Sequence, residues 1–239
     1  NATTASCAPP PPPAPGGPVT ITQGGTYTGN WVSTSSTPAV RISTTEQVTI
    51  KDSLIENLSG GPLIQSDLGL ATNVVLERVT GRGGSGRFYN SENIKSLTIR
   101  NCTLDKTGGI YVLKAQPGAT ILITRNKARN IQYGGSLRQF VQFNQVTTAA
   151  IDVSWNEVIN VFGQSRVEDN VSVFESAFAS PTPLAVVEAL CLPEGVPVPV
   201  DPRVHRGAHE GSAHAGWSRS ARSTVEKPKM TPVMIVSRS

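Results

Sequence analysis

The sequence predicts an all-β solenoid, in which the chain winds into stacked coils of parallel strands. Short segments rich in Val, Ile and Thr alternate apolar and polar residues, which is the period-two pattern of strands. Their central apolar residues lie 26, 23, 24 and 30 residues apart, and a near-constant period in the twenties is typical of repeat proteins. Gly, Asn, Asp and Ser cluster between the segments and supply the bends. The central residues are Ile50, Leu76, Ile99, Ile123 and Val153.

The pattern inside each copy excludes the other common repeat folds. The clearest copy, residues 97–104, reads LTIRNCTL. It lacks the Leu-x-x-Leu-x-Leu spacing of leucine-rich repeats, and no copy shows the 3.6-residue period of a helical repeat. We therefore predict roughly five coils, each carrying one copy of this strand.

Asparagine recurs at nearly the same place in three of the copies. Asn101, Asn126 and Asn156 follow the central apolar residue by two or three positions. Asn at a bend tolerates a left-handed backbone and can hydrogen-bond to the coils above and below. With these residues the chain resembles the right-handed parallel β-helix of the pectate-lyase-like superfamily over residues 19–184. The resemblance implies an internal asparagine ladder and a secreted bacterial protein, on a scaffold that carries many activities.

The first part of the chain is predicted to contain a leader and then the opening coil. Residues 1–18 include five consecutive prolines, which form an extended polyproline helix and cannot join a sheet. Such a disordered spacer is typical of exported proteins. Residues 19–47 begin the domain, and Trp31 is expected to cap the exposed end of the first coil.

Residues 48–165 contain the repeated coils, with two departures from regularity. The longest step in the spacing indicates an insertion near Tyr133, and insertions in solenoids often lie on the binding face. The glycine-rich residues 81–87 lack the Lys-Ser/Thr of a phosphate-binding loop, so we interpret them as a tight turn. Val171 and Val173 predict one more strand within residues 166–184.

Residues 185–239 contain no recognisable strand repeat. All three histidines lie in this region, among scattered Arg, Ser, Gly and Pro, and the composition predicts disorder. We predict an out-of-frame or unrelated C-terminus that truncates the solenoid after about residue 184 and leaves the last coil uncapped. A single continuous reading frame in independently sequenced isolates would contradict this prediction.

Composition narrows the classes of partner. The net charge is only +4, and no basic run is interleaved with aromatic residues, so nucleic-acid binding is not predicted. No apolar stretch approaches the ~18 residues of a membrane span. Three cysteines do not make a disulfide framework, and Cys102, beside a strand, is expected to be a small core residue.

The first functional hypothesis is a secreted or cell-surface protein that contacts polysaccharide along the face of its coils. Tyr89, Tyr111 and Tyr133 are spaced 22 and 22 residues apart, close to one coil, and stacked aromatic rings suit sugar binding. Arg166, beside the densest cluster of charge, is the fourth expected contact. In this hypothesis the domain is non-catalytic and needs no cofactor.

The alternative hypothesis is a polysaccharide lyase that cleaves uronate-containing glycans by β-elimination. That reaction needs a cation to neutralise the carboxylate and a base to take the α-proton. The expected catalytic residues are Lys114, Arg125 and Asp169. Further candidate cations are Arg87 and Lys127. Glu168, Asp169 and Glu175 are the candidate ligands for Ca²⁺, which prefers several oxygens together.

Motifs of related enzymes favour the non-catalytic hypothesis. The sequence lacks the paired carboxylates and Gly-His-Gly of β-helix polygalacturonases, and the Arg-x-Pro-x-x-Arg of pectate lyases. No histidine precedes residue 205, so a histidine-assisted hydrolase is not expected in the folded part. The charged candidates equally fit a solvated face of the solenoid.

Overall fold

The computed structural model describes residues 16–132, 138–177 and 189–192. Over these residues the chain is a parallel β-solenoid without helices, and the strand pairings between coils are parallel. The all-β solenoid is therefore confirmed, and the described part has no helix able to cross a membrane. The strands are β1 (Val19–Ile21), β2 (Gly25–Tyr27), β3 (Asn30–Ser33), β4 (Val40–Ile42), β5 (Gln47–Asn57), β6 (Ile64–Ser66), β7 (Thr72–Gly83), β8 (Tyr89–Arg100), β9 (Thr103–Asp105), β10 (Ile110–Thr124), β11 (Lys127–Arg129), β12 (Arg138–Asn144), β13 (Ala150–Ser154), β14 (Glu157–Val161), β15 (Val167–Phe174) and β16 (Ala189–Leu192).

The strands form three faces that surround one apolar core. Face A contains β1, β4, β6, the starts of β8 and β10, β12 and β15. Face B contains β2, the starts of β5 and β7, the ends of β8 and β10, and β13. Face C contains β3, the ends of β5 and β7, β9, β11, β14 and β16. The long strands bend at a corner and continue onto the next face.

The repeated apolar residues form a continuous column inside face B. Ile50 pairs with Leu76, Leu76 with Ile99, and Ile99 with Ile123, which in turn pairs with Val153. All five side chains are fully buried. The five predicted copies are thus confirmed, and β2 adds a sixth strand ahead of them in the same sheet. Stacking identical positions buries each side chain against the coils on both sides.

The corner between faces B and C is built from a column of residues with a left-handed backbone. These are Asp52, Arg78, Asn101, Arg125 and Trp155, with φ values from 48° to 57°. A non-glycine residue adopts this region at some cost, and here it turns the chain while its side chain points outward. The predicted ladder residue Asn101 is one of these exposed corner residues, so its assignment to the ladder is wrong.

The ladder lies one position later, where the side chain turns inward. The Oδ1 of Asn126 accepts a bond of 2.9 Å from the Cys102 N–H, and its Nδ2 donates to the Ile99 carbonyl at 2.9 Å. Asn156 continues the pattern, because its Nδ2 donates to the Ile123 carbonyl at 2.7 Å and its Oδ1 accepts from Asn126. Cys102 occupies the position that Asn101 was expected to fill, and it is buried as predicted.

Strand pairing is present at both ends of the described solenoid. Gly16, in the predicted leader, bridges to Trp31, which packs against the core of the first coil. The strand predicted at Val171 and Val173 is β15. Inside the predicted tail, β16 pairs with β14, so the sheet of face C continues past residue 184. The remainder of the leader and of the tail lies outside the described residues.

Candidate functional site

A row of outward side chains crosses face A from coil to coil. Register places one such residue in each strand. In β4, β6, β8, β10 and β12 the residues on either side of it are buried, and the pairing of β1 with β4 and of β15 with β12 adds Thr20 and Ser172. Neighbours in the row are about 4.8 Å apart, the spacing of paired strands. We call this set the face-A row, and it consists of Thr20, Arg41, Gln65, Asn90, Tyr111, Gln142 and Ser172.

Two shallow depressions lie over this row. The first has a volume of about 400 Å³, and we call it the arginine pocket; its lining is Gly60, Pro62, Gly86, Arg87, Asn90, Tyr111, Arg138 and Gln142. The second, of about 500 Å³, includes Arg41 and Gln65 together with Asp67 and two leucines. Each depression therefore contains members of the row, which makes face A a candidate binding surface.

Arg87 forms the inner wall of the arginine pocket. Its side chain is only 7% exposed. The guanidinium donates to the Gly108 carbonyl at 2.9 Å and to Oε1 of Gln142 at 2.7 Å, and it lies 4.9 Å from the centre of the Tyr111 ring. Burial, followed by the positive charge of Arg138, lowers the pKa of Arg87 to about 9. That pKa is still above neutral, so the buried group is charged at pH 7.

Arg138 reaches the same place from two coils further along the solenoid. Its Cδ and Nε atoms pass 3.2 Å from the point where a side chain on Gly108 would begin. The Nε atom is buried and has no hydrogen-bond partner among the described residues, and burial lowers the pKa of this arginine as well. The two guanidinium groups thus converge on Gly108, and no described carboxylate forms a salt bridge with either.

The three predicted tyrosines have different positions. Tyr111 points outward as predicted, half-buried between Ile110 and Val112, and its hydroxyl accepts a bond of 3.1 Å from Asn144. Tyr89 was predicted to share that surface, and this is wrong. It is fully buried, its hydroxyl lies 2.9 Å from that of Ser66, and burial raises its pKa.

The prediction for Tyr89 is wrong because it aligned Tyr89 with Tyr111, one residue away from the true pairing of β8 with β10. Tyr89 pairs with Ile110, while the partner of Tyr111 is Asn90. Because side chains alternate between the two sides of a strand, a shift of one residue moves a ring from the surface to the core. Tyr133 lies outside the described residues, and its sugar contact stays a prediction.

The three proposed catalytic residues do not form one site. Lys114 lies at the corner between faces A and B, 3.5 Å from Glu92. Arg125 lies at the corner between faces B and C, and residues 120–124 of β10 span face B between the two. Asp169 is on β15 in face A, paired with Gln139. The joint catalytic assignment is wrong because these residues belong to different edges of the solenoid.

The proposed calcium ligands are also separated. Asp169 lies near the start of β15 and Glu175 just beyond its end. Six residues of extended strand span about 20 Å, whereas ligands of one Ca²⁺ lie within ~2.6 Å of the ion. Glu175 instead accepts a bond of 2.9 Å from Gln145. These two residues cannot share an ion, and no metal-binding group of three side chains occurs in the described part of the chain.

The remaining predicted residues stay predictions. The side chain of Glu168 lies outside the described set. Arg166 is exposed on the turn before β15, where its backbone N–H donates to the Ile131 carbonyl at 3.0 Å, and it does not line either depression.

Sequence reasoning missed three polar side chains that line the arginine pocket, namely Asn90, Arg138 and Gln142. Arg87 was named, although only as a candidate cation for the lyase. A signal was present: Arg138 directly follows the insertion expected on the binding face. Asn90 and Gln142 become recognisable only when Tyr111 is aligned with the neighbouring coils, since their type is common on any strand surface.

Comparison with known proteins gives the chain no relative. No family model matches the sequence, and neither a curated protein nor a solved structure is significantly similar to it. The parallel solenoid is therefore supported by the structure alone. Membership of the pectate-lyase-like superfamily stays a prediction.

Proposed function

We propose that the protein binds polysaccharide along face A, with the face-A row as the contact surface. The observation that carries the proposal is the position of Tyr111 between Asn90 and Gln142 at the arginine pocket. Amide side chains both donate and accept hydrogen bonds, as sugar hydroxyls do. An aromatic ring offers apolar area to the C–H face of a sugar together with a polar hydroxyl.

The repeat of the row supports a polymer as the ligand. Successive side chains recur about every 4.8 Å along the solenoid axis, so an extended chain meets a new hydrogen-bonding group in each coil. Individual contacts on a shallow surface are weak, and linking several of them raises the overall affinity through effective concentration. We propose the secreted or cell-surface location that the sequence predicts together with this ligand.

The proposal is tested with a matched pair of variants in one strand. Tyr111→Ala and Leu122→Ala each remove an outward, half-buried side chain from β10, the first on face A and the second on face B. A glycan array identifies the ligand, and titration calorimetry measures its affinity for both variants. We expect Tyr111→Ala to weaken binding by about tenfold, equivalent to ~1.4 kcal/mol, and Leu122→Ala to bind like the unaltered protein. Equal affinities, or no bound glycan, would refute the proposal.

A second candidate function is the uronate lyase. One observation favours it, namely that Arg87 and Arg138 bring two positive charges to the same depression, where a uronate carboxylate would be neutralised. Ultraviolet absorbance during incubation with polyuronates, with Ca²⁺ and with chelator, distinguishes the two functions. Binding alone predicts a flat trace, whereas a rise from unsaturated product would establish β-elimination.

A further inference from the structure

We propose that the arginine pocket is a subsite for a single oxyanion, held between the guanidinium groups of Arg87 and Arg138. The ligand group is a carboxylate, sulfate or phosphate, which share the planar or tetrahedral oxygens that arginine binds. The inference rests on the proposed function in one respect: when the group is part of a glycan, that glycan is anionic.

The charges in the pocket are the first argument. Arg87 is almost completely buried, and Arg138 lies near enough to lower its pKa by repulsion. Two like charges in a partly dehydrated site are unfavourable unless an opposite charge is present. The described residues supply no carboxylate salt bridge to either group. A bound oxyanion would provide the missing charge.

Other arginines of the described chain show the usual arrangement. Arg41 pairs with Asp67, Arg82 with Glu56, and Arg100 with Glu77, while Arg78 pairs with both Asp52 and Glu77. These side chains are about half-exposed, where a salt bridge matters little. These four arginines are thus paired where water screens their charge, whereas Arg87 and Arg138 have no described carboxylate although burial makes their charge costly.

Unused hydrogen-bond donors are the second argument. A guanidinium group carries five N–H donors in a fixed fork. The buried Nε of Arg138 donates to no described group. Buried polar groups in native proteins are nearly always paired with protein, water or ligand. An oxyanion in the pocket would accept from the guanidinium of Arg138 in the bidentate geometry that arginine favours.

The glycine-rich corner keeps the pocket open. Gly86 and Gly108 occur on neighbouring coils, joined by a hydrogen bond of 2.6 Å. A side chain on Gly108 would begin 2.6 Å from the Ser85 carbonyl oxygen and 3.2 Å from Nε of Arg138, so the backbone of the neighbouring coil requires glycine here and Arg138 packs close above it. The resulting space of about 400 Å³ admits an oxyanion with part of a sugar ring beside Tyr111.

The test uses sodium sulfate, sodium phosphate and sodium acetate, each against sodium chloride at equal ionic strength. Ligands that bind the folded state raise its melting temperature by mass action. We expect at least one oxyanion to raise the Tm of the unaltered protein and of Arg129→Met, which removes an exposed arginine on face C. The Tm rise should be lost in Arg87→Met and Arg138→Met. Arg138→Lys keeps the positive charge but lacks the forked guanidinium group. Calorimetry should show that this variant binds the oxyanion at least several-fold more weakly than the unaltered protein does.

The unaltered protein alone keeps the proposal falsifiable should a variant not fold. No Tm rise with any of the three oxyanions, or an equal rise in Arg138→Met, would overturn it.

Glycan arms separate this inference from the proposed function. Sulfated, uronate-containing and neutral glycans are titrated into the unaltered protein and Arg138→Met. Preferential binding of an anionic glycan that is lost in Arg138→Met supports both polysaccharide binding and the oxyanion subsite. Binding of the free oxyanions without any glycan supports the oxyanion subsite and refutes polysaccharide binding. Binding of neutral and anionic glycans equally by both proteins supports polysaccharide binding and overturns the oxyanion subsite.

Discussion

Buried and half-buried polar side chains at two corners of the solenoid, Asn126 at one and the pair Arg87 and Arg138 at the other, differ in how completely their hydrogen bonds are made. At the corner between faces B and C, the side chain of Asn126 donates to Ile99 and Asn156 and accepts from Cys102. At the corner between faces C and A, Arg87 has protein partners, whereas the buried Nε of Arg138 has none among the described residues.

The difference separates groups that hold the fold from groups left available to a ligand. A fully satisfied buried network rigidifies a structure, and the ladder faces the core, where its partners are carbonyls and N–H groups of adjacent coils. The arginine pocket opens to the surface and is lined by both arginines, while Nε of Arg138 is buried without a described partner. Buried groups without a hydrogen-bond partner in the protein are expected mainly where the protein binds a ligand.

The largest effect that this comparison predicts is on stability at the ladder. Asn126→Ala leaves the Cys102 N–H and the Ile99 carbonyl buried without their partner. Each unsatisfied group costs ~1–3 kcal/mol, so we expect the free energy of unfolding to fall by about 3 kcal/mol in urea titrations. The matched control is Lys127→Ala, at the next, exposed residue, with a change within ~0.5 kcal/mol. A loss below 1 kcal/mol in Asn126→Ala would show that the ladder is not a main stabilising feature.

The arginine pocket should show a smaller effect on stability and a larger effect on binding. Arg87→Met removes two hydrogen bonds and also the cost of a buried charge beside Arg138. Replacement of buried ionic groups by apolar ones is often nearly neutral, so we expect the free energy of unfolding to change by less than ~1 kcal/mol. If Arg87→Met lowers the free energy of unfolding as much as Asn126→Ala does, Arg87 has the same structural role as the ladder. The proposed difference between the two corners would then be wrong.

An exposed ion pair on face A should show the smallest effect. A hydrogen bond from Ser43, together with Arg41, holds the pKa of Asp67 below its ordinary value. Because the folded-state pKa is depressed, this contribution is present above about pH 4 and is lost as the pH falls through the folded-state pKa. Exposed pairs contribute ~0–1 kcal/mol. In thermal melts from pH 7 to pH 3, the Tm of Asp67→Asn should therefore fall slightly less than the Tm of the unaltered protein. A larger fall in the variant would show that the pKa of Asp67 is shifted in the opposite direction.

Much of the fold could be predicted from the sequence because it depends on local periodicity. The spacing of Ile50, Leu76 and Ile99 reports the length of a coil directly, and alternation reports which side chains point inward. The ladder prediction is confirmed at Asn126 and Asn156 and is wrong only at Asn101, because this left-handed corner residue has the same type as the ladder residues. Residue type alone does not separate an exposed corner from the buried position beside it.

The candidate site could be predicted only in part, because it depends on register between coils of unequal length. Tyr89 and Tyr111 are 22 residues apart, whereas the two strands pair with an offset of 21, and that single residue moves Tyr89 into the core. Arg87 and Arg138 meet across an intervening coil, so no local pattern joins them. Clustering charges along the sequence grouped Asp169 with Glu175, although an extended strand holds them far apart.

The central claim is that face A, at Tyr111 and the arginine pocket, is where this protein meets its ligand. Nuclear magnetic resonance of labelled protein during titration with an anionic glycan from the array tests it most directly. The account predicts that backbone amide shifts of Asn90, Tyr111 and Gln142 move with ligand, together with the Nε signal of Arg138, while Leu122 and Asp152 on face B do not change. Shifts confined to faces B and C, or to the ladder corner, would contradict the assignment of the binding surface.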